Sequence, residues 1–369
     1  MTVKRILYLG PDLADVAVNR RVLGLRAAGA EVIAYAFDRK LDFQNDVKTL
    51  GTAADGNIRK RIANMLRAYK MLSQTPTLAD VDVIYARNLD LALLAVALRR
   101  RLKRSIPIVY EVLDLHPLLL RSGLVGCVAR ALERFVLRRA KQLIVSSPAF
   151  LENYFAPIQG YKTAGFLLEN KVEGFPNGCR GAMFQSHVRS DMPFTIVFAG
   201  KLRCEKSLQM LTTLATQAGD RLRVRLAGTV PKGLKPAYDK LAALPNTQTL
   251  GCYDYPQDLA KIYNDADLNW TLDYSSEQNA KLLIPNRLYE GGFFGVPPLL
   301  RPLTATAARA ARWNAGMLLD DALLVKLVHD PHALRAELAT HRARLAYCSE
   351  RDFLAAGDHK RLLEALKSA

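Results

Sequence analysis

Two successive α/β domains, each a doubly wound parallel sheet, are the fold class this sequence predicts, and three observations carry that reading. Short apolar, strand-like runs alternate with helix-periodic stretches through both halves of the chain. From Glu169 to Met192 the alternation dissolves into Gly, Pro, Asn and Ser, the composition of a linker. At 369 residues and 50% hydrophobic content, the chain can fill two cores of ordinary size. The expected boundaries are an N-terminal domain over 1–175, a linker over 176–192, a C-terminal domain over 193–340 and terminal helices over 341–369.

In the first half, Arg5 to Leu9 reads as a buried strand, Val16 to Ala28 as a helix closed near Gly29, and Glu31 to Ala36 as the next strand. The unit repeats: strand Val83 to Tyr85, helix Leu89 to Arg101, strand Ile106 to Val112, helix Leu124 to Arg139, strand Gln142 to Val145. The second half alternates again. Strands are predicted at 194–198, 222–226, 268–272 and 298–300, with helices at 207–217, 259–264 and 288–294. The stretch from Leu334 onward is helical with a break near Gly357, consistent with a helix that packs back on the first domain. Two Rossmann-like halves of this kind expect ligands in a cleft at the carboxyl ends of their strands.

Five scattered cysteines form neither a disulfide framework nor a metal-ligand spacing, and suit reduced thiols in a cytoplasmic protein. No apolar run approaches the ~18 residues of a membrane helix, so membrane contact is expected to be peripheral. The net charge of +17 is uneven, with +13 in residues 1–190 and +4 in residues 191–369. Arg99, Arg100, Arg101, Lys103 and Arg104 follow the apolar run LALLAVAL, and Arg130, Arg134, Arg138, Arg139 and Lys141 recur along a second one. Basic residues beside apolar faces suit an anionic membrane surface or a phosphate-bearing acceptor, and equally a basic solvated surface.

Phe198 to Lys206 reads FAGKLRCEK: a strand, the glycine turn at Gly200, then Lys201 and Lys206 around a helix start. Unpaired amides at a helix start, with two lysines, suit a diphosphate. Roughly 80 residues on, Asn279 to Gly292 reads NAKLLIPNRLYEGG, followed by Gly295-Val296-Pro297. A helical carboxylate such as Glu290 can accept two hydrogen bonds from a ribose diol, or pair on the surface with Arg287.

Together the two stretches resemble the donor half of glycosyltransferase family 4, enzymes of the GT-B fold whose two Rossmann-like domains face a central cleft. The family's Gly-Arg-Leu-x-x-x-Lys stands here as Gly200-Lys201-Leu202 and Lys206, and its second glutamate as Glu290 before Gly295-Val296-Pro297. Leu282 occupies the position of the first glutamate, which in the family contacts the transferred sugar. Lysine at 201 keeps the charge and loses the bidentate fork of arginine. The resemblance implies that Gly200, Lys201 and Lys206 clasp the diphosphate. It implies that Glu290 holds the ribose, and that Leu282, Leu283, Ile284 and Tyr289 complete the donor site.

At the end of the strand Ile108 to Val112, Asp114 is the candidate general base for an inverting reaction and His116 the candidate acceptor or phosphate contact; His116 can equally be a loop histidine capped by Pro117. Asp12, Arg20 and Arg87 are candidate acceptor-binding residues, while Asn88 and Asp90 suit helix caps. Asp265-Ala266-Asp267 matches an Asp-x-Asp metal signature but lies between a helix and a strand, so no metal and no cofactor are expected. The expected activity moves a hexose or uronic acid from a nucleoside diphosphate sugar, UDP-sugar favoured, to a glycan or lipid-linked acceptor. A GT-B nucleotide-sugar epimerase is the alternative. Nucleic-acid binding is disfavoured because no exposed aromatics interleave with the basic residues.

Overall fold

The computed structural model describes residues 4–13, 15–38, 47–52, 58–102, 105–184, 192–355 and 357–368. Lys103, Arg104 and the end of the expected linker lie outside them. The chain forms two compact units, one running to Glu169 and resumed by the terminal helix, the other spanning Asn170–Ala355.

The first unit is built on a seven-stranded parallel sheet in the order β3-β2-β1-β4-β5-β6-β7. Its strands are β1 (Arg5–Gly10), β2 (Glu31–Asp38), β3 (Lys48–Thr52), β4 (Val83–Arg87), β5 (Ile108–Val112), β6 (Gln142–Val145) and β7 (Phe166–Leu167). The helices are α1 (Val16–Ala27), α2 (Ile58–Ser73), α3 (Leu89–Arg101), α4 (Pro117–Leu120), α5 (Gly123–Leu137) and α6 (Pro148–Phe150). Strands β4 and β5 are buried along their whole length, because helices cover both faces of such a sheet. Right-handed crossovers put α1 on one face, and α2, α3 and α5 side by side on the other. The LALLAVAL run of α3 is core, with Leu91, Leu94, Val96 and Leu98 buried.

The second unit has a six-stranded parallel sheet, β10-β9-β8-β11-β12-β13. It comprises α7 (Arg180–Met183), β8 (Phe194–Lys201), α8 (Glu205–Ala218), β9 (Leu222–Thr229), α9 (Lys235–Ala242), β10 (Thr247–Gly251), α10 (Leu259–Tyr263), β11 (Leu268–Trp270), α11 (Glu277–Leu282), α12 (Asn286–Phe293), β12 (Pro298–Leu300), α13 (Ala305–Ala311), β13 (Met317–Leu318), α14 (Asp321–His329) and α15 (Leu334–Tyr347). The start of the expected linker belongs to this unit. Arg180 is buried, and its guanidinium donates to the carbonyls of Gly292, Leu345 and Cys348. Arg342 likewise anchors α15, donating to the carbonyls of Gly295, Ala266 and Asp267, and burial lowers its pKa to about 10.

The terminal helix α16 (Asp358–Ser368) adds Leu362, Leu363 and Leu366 to the core of the first unit. Its seat on α1 needs a glycine: a Cβ on Gly24 would stand 2.3 Å from the His359 ring. Arg21 donates from Nη1 to His359 Nε2 at 2.9 Å and from Nε to Glu111 Oε1 at 2.7 Å. Beneath α5, the buried Glu133 carboxylate accepts from Tyr110 at 2.8 Å, from Tyr154 at 2.5 Å and from Gln159. The buried carboxylates of Glu111 and Glu133 are thus met by donors, and the Arg21 guanidinium by acceptors, which makes their burial tolerable.

Burial, and then Arg21 and Arg20, hold the His359 pKa well below the ordinary histidine value. The unfolded chain therefore takes up a proton that the folded one refuses. Stability is expected to fall below about pH 6.5, by up to ~1.4 kcal/mol per pH unit, until the folded imidazole itself protonates. Denaturant titrations across this range should show a shallower acid limb for His359→Gln, which keeps an acceptor for Arg21 and loses the titration.

Candidate functional site

In the second sheet β8, β11 and β12 are neighbours, so the segments leaving their carboxyl ends meet. The β8 turn depends on two glycines paired across the sheet, Gly200 at φ 99° and Gly228 at φ 121°. A Cβ on Gly228 would sit 1.8 Å from the Gly200 carbonyl oxygen, so only glycine allows that approach. The chain then enters α8, which the buried Cys204 caps by accepting the Ser207 amide on Sγ at 3.3 Å. Cys204 also accepts the Tyr274 amide at 3.2 Å, tying the α8 start to the segment after β11.

Asp273, in that segment, is the electrostatic centre of this edge. Its carboxylate accepts the Ser275 amide at 2.8 Å and hydroxyl at 2.6 Å, and lies 3.6 Å from Arg203 Nη2. Burial disfavours the charge, but Arg287, Ser275 and Arg203 outweigh it and hold the carboxyl below the usual aspartate range. Arg287 is buried over the Phe198 ring and donates from Nη2 to the Leu272 carbonyl at 3.2 Å, while its Nε meets no acceptor among the described residues. Lys206 and Arg301 each lie 4.5 Å from the centroid of the Tyr274 ring, and Arg301 donates from Nη2 to both carboxylate oxygens of Glu277, at 2.8 and 2.7 Å. Asp273, Arg301, Leu283, Thr271, Thr304 and Thr306 line a small hollow beside them.

Of the residues expected to hold the donor, Gly200 forms the turn, and Lys201 and Lys206 are exposed beside it. Glu290 is buried, at 2% exposure, and accepts the Tyr263 hydroxyl at 3.0 Å. It is thus no surface carboxylate, and its helix-mate Arg287 faces Asp273 instead. Leu282 is half-buried at the end of α11, and Leu283 and Ile284 are buried in the turn into α12. Tyr289 is fully buried, its ring edge-on to Trp313 with centroids 6.0 Å apart.

In the first unit, Asp114 is exposed after β5, while Glu111 inside the strand is fully buried on Arg21. His116 caps α4, its Nδ1 accepting the Leu118 amide at 3.2 Å, and burial and Arg61 lower its pKa. Asp12 is half-buried in the loop after β1, and Arg20 is buried in α1. Arg87 is buried at the end of β4, 3.7 Å from Asp15. Asp267, of the Asp-x-Asp sequence, accepts the Thr195 amide at 2.8 Å and pairs with Arg335 at 2.9 Å. These are structural partners. No group of three or more His, Cys, Asp or Glu with metal-holding geometry occurs among the described residues.

A glycosyl transferase 4-like domain model matches residues 14–162. The succinoglycan biosynthesis protein ExoL of Rhizobium meliloti strain 1021 is 37% identical over 336 residues, covering 86% of this chain and 81% of ExoL. The chain belongs to the family 4-like GT-B glycosyltransferases. Sucrose-phosphate synthase of Thermosynechococcus elongatus superposes with a TM-score of 0.70 at 14% identity, covering 99% of this chain and 98% of that one. The Anabaena protein HepE in complex with UDP-glucose gives 0.67 at 16% identity, covering 99% and 100%. Both likenesses show the GT-B fold. Family membership also decides for a transferase over the epimerase and nucleic-acid readings.

What sequence reading missed in this glycosyltransferase is the set Arg203, Asp273, Tyr274, Arg287 and Arg301. The available signal was an aspartate just past the strand Leu268 to Leu272, at the edge where ligands of such sheets bind. Gly228→Ala should lower stability by about 2–4 kcal/mol through the forced shift of the Gly200 carbonyl. Thermal melts and UDP titration check this: a lower Tm together with weakened UDP binding is expected.

Proposed function

We propose that the chain transfers a hexose or uronic acid from a nucleoside diphosphate sugar, with a UDP-sugar favoured, to a glycan or lipid-linked oligosaccharide in cell-surface polysaccharide biosynthesis. The observation that carries this reading is the gathering of Arg203 and Arg287 about Asp273, with Lys206 over the adjoining Tyr274 ring, just past the Gly200 turn. Support for the pathway class comes from ExoL, a succinoglycan biosynthesis protein, and for the donor class from HepE and its UDP-glucose complex.

As the glycosidic bond breaks, the leaving diphosphate gains charge, so cations already in place stabilise the transition state more than the ground state. Arg203 supplies the planar fork that Lys201 lacks, and Lys206 adds a point charge at the α8 start. Glu290, oriented by Tyr263, takes the ribose hydroxyls once donor binding opens its site. The backbone of Leu282 to Ile284 meets the phosphates or sugar. Retention, with the donor phosphate as base, follows the family. If the reaction inverts, Asp114 is the base. His116 is neutral near pH 7, and with Nδ1 engaged it offers Nε2–H to the acceptor, alongside Asp12, Arg20 and Arg87. Arginine and lysine stand where a metal would otherwise neutralise the diphosphate, so no metal is required. No helix among the described residues is long and apolar enough to cross a membrane, and we place the enzyme at the inner face of the membrane by peripheral contact of its basic first unit with anionic lipid.

Calorimetric titration with UDP should show Lys206→Ala and Arg203→Ala each weakening binding about tenfold or more, the range for hydrogen bonds to charged groups. Lys201→Ala should cost less than either. A loss confined to Lys201 would move the phosphate away from Asp273. Turnover should survive excess chelator, and NMR of the product should show the anomeric configuration of the donor retained.

A further inference from the structure

The outer faces of α5 and α2 carry large apolar side chains in water. Leu124 is 84% exposed, Val125 58%, Val128 55% and Leu132 43%; on α2, Ile62 is 56% and Leu66 64% exposed. At 100° per residue, the four α5 positions fall within about one quadrant of the helix. Ile62 and Leu66, four residues apart, share a face of α2. Scattered single exposures are ordinary, but clustered ones mark a contact surface.

Charge selects the occupant. Helix α2 contains no acidic residue, and Lys60, Arg67 and Lys70 lie along it, all exposed. Between His116 and Arg139 the sole acid is Glu133, which is 0% exposed and turned inward to Tyr110 and Tyr154. Arg121 is exposed at the apolar end of α5. The two helices flank α3 in one layer, and Arg61 of α2 pairs with Asp90 of α3 while acting on the charge of His116 at the head of α4. Their amino-terminal ends therefore converge near the candidate acceptor residues. The start of α5 is also tied to the turn before it. Arg130 donates to the carbonyls of Leu119 and Arg121, and Gly126 packs so closely on the latter that a Cβ would stand 2.0 Å away.

We propose that this face is a bilayer-docking surface. Leu124, Val125, Val128, Ile62 and Leu66 enter the headgroup boundary of an anionic leaflet while Arg121, Arg67 and Lys70 meet lipid phosphates. Apolar stripes edged only by cations are the pattern of helices that lie in such an interface. A second copy of the same face would bring like charges together. The inference rests on the lipid-linked acceptor proposed above and adds the residues that insert.

Val128→Trp reports insertion directly, in vesicles of phosphatidylcholine with or without phosphatidylglycerol. Added anionic vesicles should shift its emission to the blue, and brominated lipids should quench it. Leu124→Asp/Val128→Asp should weaken cosedimentation with anionic vesicles by about tenfold or more, with Tm and UDP affinity unchanged. High salt should weaken the wild type only in part, since buried apolar area is not screened. An unquenched tryptophan, or equal sedimentation of the double variant, overturns the proposal. So does a concentration-dependent dimer that the double variant abolishes, which would make a second copy the occupant. UDP titration involves no lipid, so failure of the donor assignment would register separately.

Discussion

The candidate donor site depends on one buried carboxylate. Asp273 sits between Arg203, half in water, and Arg287, almost wholly out of it. Without that negative charge the two guanidiniums would repel and Arg287 would be a buried, uncompensated ion, a situation that costs several kcal/mol in proteins generally. With it, cations collect at the edge where β8, β11 and β12 end. Oδ1 of Asp273 is held by both the amide and the hydroxyl of Ser275, so its place is behind the phosphate-facing side chains as their positioning group.

Local chemistry explains how far this was readable beforehand. Helix α3 and strands β6 and β12 fall on the expected residues, because each is bounded by a change in periodicity or a turn residue. The interval 48–73 was not read as structure, yet holds β3 and α2. Strand β3 is an edge strand with four of its five residues exposed, so it lacks the apolar run that marks a buried strand, and α2 keeps an apolar stripe outward.

The site was legible where it is local and illegible where it is tertiary. The Gly200 turn and Lys206 are contiguous, and the strand-to-helix transition announces them. Glu290 stands out by its place in the family motif, but Tyr263, whose hydroxyl it accepts, lies 27 positions away in α10, and no pattern joins the two. Tyr289 adjoins Glu290 in the motif but points to a different side of the helix, where its ring packs on Trp313.

The seat of α16 on α1 has a consequence for the order in which the chain matures on the ribosome. Leu362, Leu363 and Leu366 complete a core whose other members were mostly made before residue 169. The second unit ends at Ala355, so all its residues are made before that helix. The half that begins first therefore finishes last, and its greasy seam on α1 stays open through the synthesis of the other, a natural landing place for a holding chaperone.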